Sequence, residues 1–362
     1  NRLIEAFSPD AVLMVDRGYT PFGETFDLLT NNAIPAYTWN VSHRPENIIM
    51  KRYTKENAEL HPAALSQKTW GQIKAMPWED KHARLVDDEF TDLYTKGSWF
   101  AEVGTQFNVK IMSSDKVRDK LNLDPTKKTA FVFAHIFWDA TFFWGTDLFQ
   151  NYEEWLCEIL RIAAKNDHLN WVIKIHPANV VKNKRDGIAI HSEIEAIHET
   201  LGNIPDHISV LPPEADISTL SLFPVMDYCL TVRGTIGIEA ATRGVPVLTA
   251  GTGRYDRLGF TRDFDTGDAF LEAVTHLEDL PEMTSGEIEL AQRYAYGVFK
   301  VRSIPLNSID FHFKRDDRAE LKASIKVENQ DAFLLSEDVI SLADWVASGD
   351  DDFCRWKFDN DI

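Results

Sequence analysis

Short β-branched or aromatic runs alternate along the chain with longer stretches whose apolar residues recur every three or four positions. Arg2–Phe7 is helix-like, Ser8-Pro9-Asp10 is a turn, and Ala11–Val15 has the continuous apolar character of a buried strand. Thr25–Asn32 reads as a helix and Ile34–Trp39 as the next strand. Residues 51–111 are aromatic-rich and mix both periods, so the pattern assigns them no element. Ser113–Lys128 is polar and charged and is broken by Pro125, which predicts a linker.

Beyond residue 128 the pattern sharpens. Strands are predicted at Thr129–Ala134, Trp171–Ile175, Ile208–Leu211, Tyr228–Thr231 and Pro246–Ala250. Helices are predicted at Glu153–Lys165, His191–Leu201, Ile217–Phe223 and Ile236–Arg243. In the first of these helices Trp155, Leu156, Ile159, Leu160 and Ala163 share one face. Strands and helices alternating at crossover spacing predict an α/β fold with a parallel, doubly wound sheet. The end of the chain carries two helical patterns and then Asp350-Asp351-Asp352, read as a solvated tail.

At 362 residues the chain is long enough for two domains. The breaks fall at 1–126, 127–320 and 321–362, the last segment holding the terminal helices and acidic tail. The first domain reads as shortened at its start, because the chain opens on Asn1 directly into a helix-like stretch with no leader. Apolar residues make up 44% and charged residues 26%, the balance of a folded globular protein, and no apolar run has the length of a membrane span. With 38 basic and 57 acidic residues the formal charge is −19, which excludes nucleic acid as a partner but leaves room for a small anion at a local cluster of donors. Cys157, Cys229 and Cys354 lie far apart without metal-ligand spacing. Buried thiols in a reducing compartment are expected, hence the cytoplasm.

Ligands of such sheets bind at the carboxyl ends of the strands. Lys174, His176 and Pro177 lie at one strand end, Leu211, Pro212 and Pro213 at another, Arg233–Ala240 at a third, and Gly251, Gly253, Arg254 and Tyr255 at a fourth. In the third, Gly234 and Gly237 allow close approach, Thr235 is expected to cap a helix whose first N–H groups form an anion site, and Glu239 lies one turn on, where it could hold a ribose diol. The run reads equally well as a capped structural helix with a solvated Glu239. His176, held by Pro177, is by itself as readable as a loop residue. His61-Pro62 repeats that dipeptide and is taken as coincidence. His43-Arg44-Pro45-Glu46 is a loop or a cleft lining. Asp263-Phe264-Asp265 has Asp-x-Asp spacing outside a strand end, and no metal is expected there.

Lys174–Pro177 (KIHP), Thr231–Tyr255 (TVRGTIGIEAATRGVPVLTAGTGRY) and Leu258–Thr261 (LGFT), in that order, resemble the bacterial capsule-polysaccharide biosynthesis family of glycosyltransferases, which includes the Kdo transferases of capsule linker assembly. The resemblance covers roughly residues 125–265. It implies a GT-B fold, two Rossmann-like doubly wound domains facing each other across a cleft, and a metal-independent enzyme without cofactor. The second domain would bind a nucleotide-sugar, CMP-linked in preference to UDP or GDP. Lys174, His176, Gly234, Thr235 and Arg233 would serve the donor phosphate, Glu239 the ribose, and Leu211 and Pro212 the base. The first domain would bind a capsule or lipopolysaccharide acceptor and supply a carboxylate. Asp16 and Glu24 are the candidates, with Asp139 in the aromatic loop after Thr129–Ala134 as a third.

Arg17, His135 and Tyr255 are the expected acceptor or sugar ligands. Phe137, Trp138, Phe142, Phe143 and Trp144 would offer stacking faces to a sugar or simply fill core. A glycolipid acceptor would bring the protein to the inner face of the membrane. A glycerophosphotransferase, a sugar-nucleotide epimerase or a non-catalytic glycan-assembly partner would share the donor half of this pattern.

Overall fold

The computed structural model describes residues 2–15, 17–44, 46–97, 110–139, 144–178, 180, 183–184, 187–188, 190–315 and 319–355. Two compact units emerge. The first comprises Asn1–Trp78, Ser98–Ala101 and Tyr296–Ile362, and the second Glu79–Gly97 and Glu102–Ala295. The break expected at residue 126 thus falls inside the second unit, and the end of the chain returns to the first.

In the first unit, β1 (Val12–Met14), β2 (Ala36–Val41), β3 (Asn47–Tyr53) and the later Ile304–Pro305 strand form a sheet in that order. β1 and β2 run parallel, while the β2–β3 and β3–Ile304 pairings are antiparallel. One core cluster joins Met14, Phe26, Leu29, Ala36 and Tyr53; another joins Tyr37, Met50, Ile304, Trp345 and Phe353.

The second unit holds β4 (Thr129–Phe133), β5 (Asn170–Lys174), β6 (Ile208–Leu211), β7 (Tyr228–Thr231), β8 (Val247–Thr249) and β9 (Arg262–Asp263). Every pairing is parallel and the order is β6-β5-β4-β7-β8-β9. This is the doubly wound α/β arrangement, and the winding reverses between β4 and β7, where ligands of such sheets sit. The strands are continuous apolar runs because both faces are covered. The helix Tyr152–Ala163 covers one face with the predicted stripe of Trp155, Leu156, Ile159, Leu160 and Ala163. Asn151 caps it, accepting the Glu154 N–H at 2.8 Å.

In the first unit again, Ile304–Pro305 is β10, and β11 (Ile309–Arg315) and β12 (Ala319–Ile325) form a separate antiparallel hairpin. The helical periods near the end become Gln330–Leu334 and Glu337–Ser348.

Three expectations need correction. Within the aromatic stretch that carried no assignment lie the end of β3 and the helices Gln67–Ala75 and Asp80–Lys96. The expected linker begins with the helix Ser114–Lys120, anchored by buried Val117, Leu121 and Leu123. The acidic tail is not a solvated end. The Asp352 carboxylate is fully buried, accepts from Lys51 Nζ at 2.5 Å and from the Ser66 N–H at 2.7 Å, and lies 3.4 Å from the Arg302 guanidinium. Burial alone would raise its pKa, but the Arg302 and Lys51 cations hold it well below the usual carboxylate range. Arg302 in turn donates to the carbonyls of Pro62, Ala64 and Met50 at 2.7–2.8 Å.

Candidate functional site

The carboxyl ends of β4, β5, β7 and β8 gather the chemistry of the second unit. β5 ends on Lys174, which is paired in register between Phe133 and Leu211. Only 5% of its surface is exposed, and its ammonium lies 5.9 Å from the Phe133 ring centre. Burial pushes it down to about 8, while the Glu239 carboxylate works in the opposite direction.

The next turn is His176-Pro177-Ala178. His176 is exposed, and its Nδ1 accepts the Ala178 N–H at 3.1 Å. That bond fixes the tautomer: Nδ1 is the acceptor, and Nε2 carries the proton as an outward donor. Crowding by surrounding protein, and next the Lys174 cation, push the ring down to about 4, so it is neutral at physiological pH. In the first unit His61-Pro62-Ala63 makes the same contact, the Ala63 N–H donating to His61 Nδ1 at 3.0 Å. The repeated dipeptide therefore marks a repeated turn, because proline removes one donor and directs the next N–H back to the imidazole.

β7 leads into Val232-Arg233-Gly234 and the helix Thr235–Thr242. The N-cap is Gly234 rather than the expected Thr235, and the cap has no side-chain hydrogen bond. The turn is held from outside instead. Thr231 Oγ1 accepts the Gly234 N–H at 3.1 Å, and Tyr255 donates its hydroxyl to the Gly234 carbonyl at 2.7 Å. Arg254 bonds the Arg233 carbonyl at 3.0 Å and Thr235 Oγ1 at 2.8 Å. By helix geometry the Thr235 and Ile236 N–H groups have no carbonyl one turn earlier, and the dipole favours an anion there.

His135 follows β4 and spans the point where the winding reverses. Its Nε2 accepts the Val232 N–H at 3.1 Å and lies 3.1 Å from Thr231 Oγ1, while its ring stacks on Tyr152. Burial first, then the charges of His176, Arg233 and Arg254, push it down to about 3. It is a neutral structural bridge between β4 and β7.

Several predicted site residues are committed to the protein itself. Arg233 is buried and ion-paired with Asp147, and it also donates to the Trp144 carbonyl; burial pushes it down to about 10. Glu239, expected either solvated or on a ribose, is 3% exposed and accepts the Tyr94 hydroxyl at 2.7 Å. Tyr255 is buried, its hydroxyl occupied by Gly234. Leu211 is buried and Pro212 exposed. Asp263 is ringed by the Thr249 and Thr261 hydroxyls and the Arg257 N–H, and Asp265 pairs with Arg257. Among the described residues no group of three or more His, Cys, Asp or Glu is placed to hold a metal ion.

Of the expected acceptor-side residues, Asp16, Phe142 and Phe143 lie outside the described residues. Arg17 is buried, its guanidinium 4.1 Å from the Phe26 ring centre and 4.7 Å from that of Tyr53, and it donates to the Leu60 carbonyl at 3.2 Å. Such stacking suits a structural arginine better than an open anion site. Glu24 is exposed in the first turn of Phe22–Asn31, where the Thr20 hydroxyl bonds it at 2.5 Å and pulls its pKa down. Asp139 closes a turn, its N–H donating to the Ile136 carbonyl at 3.0 Å, beside exposed Trp138. His43 Nδ1 lies 3.0 Å from Ser42 Oγ and its ring meets Phe299 edge-on.

Sequence reasoning placed Arg254 at a strand end without giving it a role, and missed Asp147 and Tyr94. Asp147 and Tyr94 come from segments with no local signal and are brought in only by the fold.

A model of the capsule polysaccharide biosynthesis protein family matches residues 93–283, more than half of the chain. No curated protein matches. Among solved structures the chain is similar to "Thermosulfurimonas dismutans KpsC, beta Kdo 2,7 transferase", at 12% identity over 88% of this chain and 84% of that one, with a TM-score of 0.47. It is also similar to the beta Kdo 2,4 transferase of the same KpsC, at 11% identity over 87% and 85% with a TM-score of 0.44. A UDP-GlcNAc 2-epimerase from Neisseria meningitidis matches at 14% identity over 82% and 75%, with a TM-score of 0.39.

Proposed function

Because the chain belongs to the capsule polysaccharide biosynthesis protein family, we propose that it is a glycosyltransferase that takes a sugar from a nucleotide donor and passes it to a bacterial surface-polysaccharide acceptor. The observation that carries this reading is the anion-binding end of the parallel sheet: the Thr235–Thr242 helix N-terminus, the Lys174 ammonium and the His176 Nε2 donor at neighbouring strand ends.

In this reading the helix N-terminus and Lys174 bind the donor phosphate, and His176 donates a neutral hydrogen bond to it. Stabilising the departing nucleotide supplies the larger part of the acceleration. A carboxylate from the set Asp16, Glu24 and Asp139 accepts the acceptor hydroxyl proton. The sequence resemblance favours a CMP-sugar over UDP or GDP donors. The first unit then binds the glycan or glycolipid acceptor, in the GT-B manner. No described helix is long and apolar enough to cross a membrane, so a lipid-linked acceptor would be met peripherally.

Calorimetric titration with CMP, CDP, UDP and GDP tests the donor half. The expected result is selective CMP binding that weakens in His176→Ala; binding of none of the four overturns the reading. Transfer from a CMP-sugar by Asp16→Asn, Glu24→Gln and Asp139→Asn then identifies the base as the variant that binds donor but no longer transfers.

A further inference from the structure

Two consecutive residues in the loop after β8 hold three successive acceptors of the turn that opens the Thr235–Thr242 helix. Arg254 donates through Nη1 to the Arg233 carbonyl at 3.0 Å and through Nη2 to Thr235 Oγ1 at 2.8 Å. Between these, Tyr255 donates its hydroxyl to the Gly234 carbonyl at 2.7 Å. The arginine is itself fixed at the main chain. Gly253, with a φ of 90°, turns the chain toward it, the Arg254 N–H donates to Asp256 Oδ1 at 3.2 Å, and buried Tyr294 donates its hydroxyl to the Arg254 carbonyl.

The polarity of the Thr235 contact follows from its chemistry. A guanidinium has only donors, so Thr235 Oγ1 must accept, and the single proton of that hydroxyl must point elsewhere. Among the described residues that proton meets no acceptor. Thr235 is half-buried and is the first helical residue, where its own N–H and that of Ile236 have no carbonyl one turn earlier.

We propose that Arg254 is a positioning residue of the donor site: it acts through Thr235, whose hydroxyl it locks as a donor to the anion at the helix N-terminus. A threonine hydroxyl ordinarily accepts as readily as it donates. With its acceptor side taken by Arg254, it joins the two main-chain amides as a third donor, and the guanidinium polarises the O–H and strengthens that donation. That the anion is a donor phosphate rests on the function proposed above; the polarity of the Arg254–Thr235 bond does not.

The test is a double-mutant cycle read by calorimetric titration with CMP. Arg254→Gln and Thr235→Val, which keeps the shape of threonine, are each expected to weaken binding about tenfold, the worth of one hydrogen bond to a charged group. The double variant is then no weaker than Thr235→Val alone, whereas in Thr235→Ser, which keeps the hydroxyl, Arg254→Gln again costs about tenfold. If Arg254 only supports the turn, or bonds the phosphate itself, its loss costs the same in all three backgrounds and the double variant loses about a hundredfold. That result overturns the proposal. Arg254→Lys, which keeps the cation without the fork, takes the place of Arg254→Gln in the cycle should that variant not fold.

Urea denaturation of the same proteins without ligand keeps the two questions apart. A paired guanidinium and hydroxyl make the midpoint shift of the double variant smaller than the sum of the single shifts; additive shifts overturn the proposal even where CMP binds. No CMP binding by the wild type, together with non-additive midpoints, overturns the donor reading and supports the pairing of Arg254 with Thr235.

Discussion

Tyr255 donates its hydroxyl to the Gly234 carbonyl at 2.7 Å, and Gly237 lies directly beneath that hydroxyl. A Cβ at position 237 would collide with the Tyr255 oxygen and crowd Val247 as well. The glycine is therefore required by close packing, since its backbone is ordinary helix. Gly237→Ala should displace Tyr255 and lower stability by about 1–3 kcal/mol, read as a drop in the urea midpoint. Tyr255→Phe keeps the packing and loses one hydrogen bond, for about 1 kcal/mol.

His176 is neutral through the physiological range, with its pKa depressed to about 4. Nucleotide affinity should stay level as pH rises from 5.5 to 7.5, and His176→Ala should weaken it by about tenfold, the worth of one hydrogen bond to a charged group. A site that needed an imidazolium would instead lose about tenfold per pH unit above 6.5. Calorimetry across that range distinguishes the two.

The Lys51–Asp352 pair is fully buried. Removing Asp352 strands two buried cations, Lys51 and Arg302, so Asp352→Ala should cost about 3–5 kcal/mol, read from chemical denaturation. Asp352 has a folded-state pKa below its unfolded value. Its contribution is present in full above about pH 4 and is lost as pH falls toward the folded pKa. In Asp352→Asn the acid limb of a stability-versus-pH curve should flatten.

Asp147 and Arg233 form a second enclosed pair, beside the Gly234–Thr235 turn. Asp147→Asn leaves the guanidinium under burial without its carboxylate, and a loss of about 3–5 kcal/mol is expected from chemical denaturation. Some freed positive charge at the donor site should also narrow the preference for CMP over CDP.

The doubly wound sheet was legible because β4 to β8 are buried on both faces and read as unbroken apolar runs with crossover helices between them. The same logic brought Lys174, His176 and the Gly234–Thr235 turn to neighbouring strand ends, since strand ends are defined by the strands. What each side chain does there was not legible. Glu239 and Arg233 carry charge in the sequence, but only the fold sets Tyr94 against one and Asp147 against the other. Not readable were β3 and the helices Gln67–Ala75 and Asp80–Lys96, which combine aromatics and lysines whose burial is decided by distant partners. Lys51 reads as a surface residue until Asp352 is brought to it.

That last contact sets an order on biogenesis. Lys51 leaves the ribosome about three hundred residues before Asp352, whose carboxylate neutralises it. During that interval the second unit, Glu79–Gly97 and Glu102–Ala295, is synthesised in full. The nascent chain therefore carries a first sheet whose central cation meets the Asp352 carboxylate only after the whole second unit has been made.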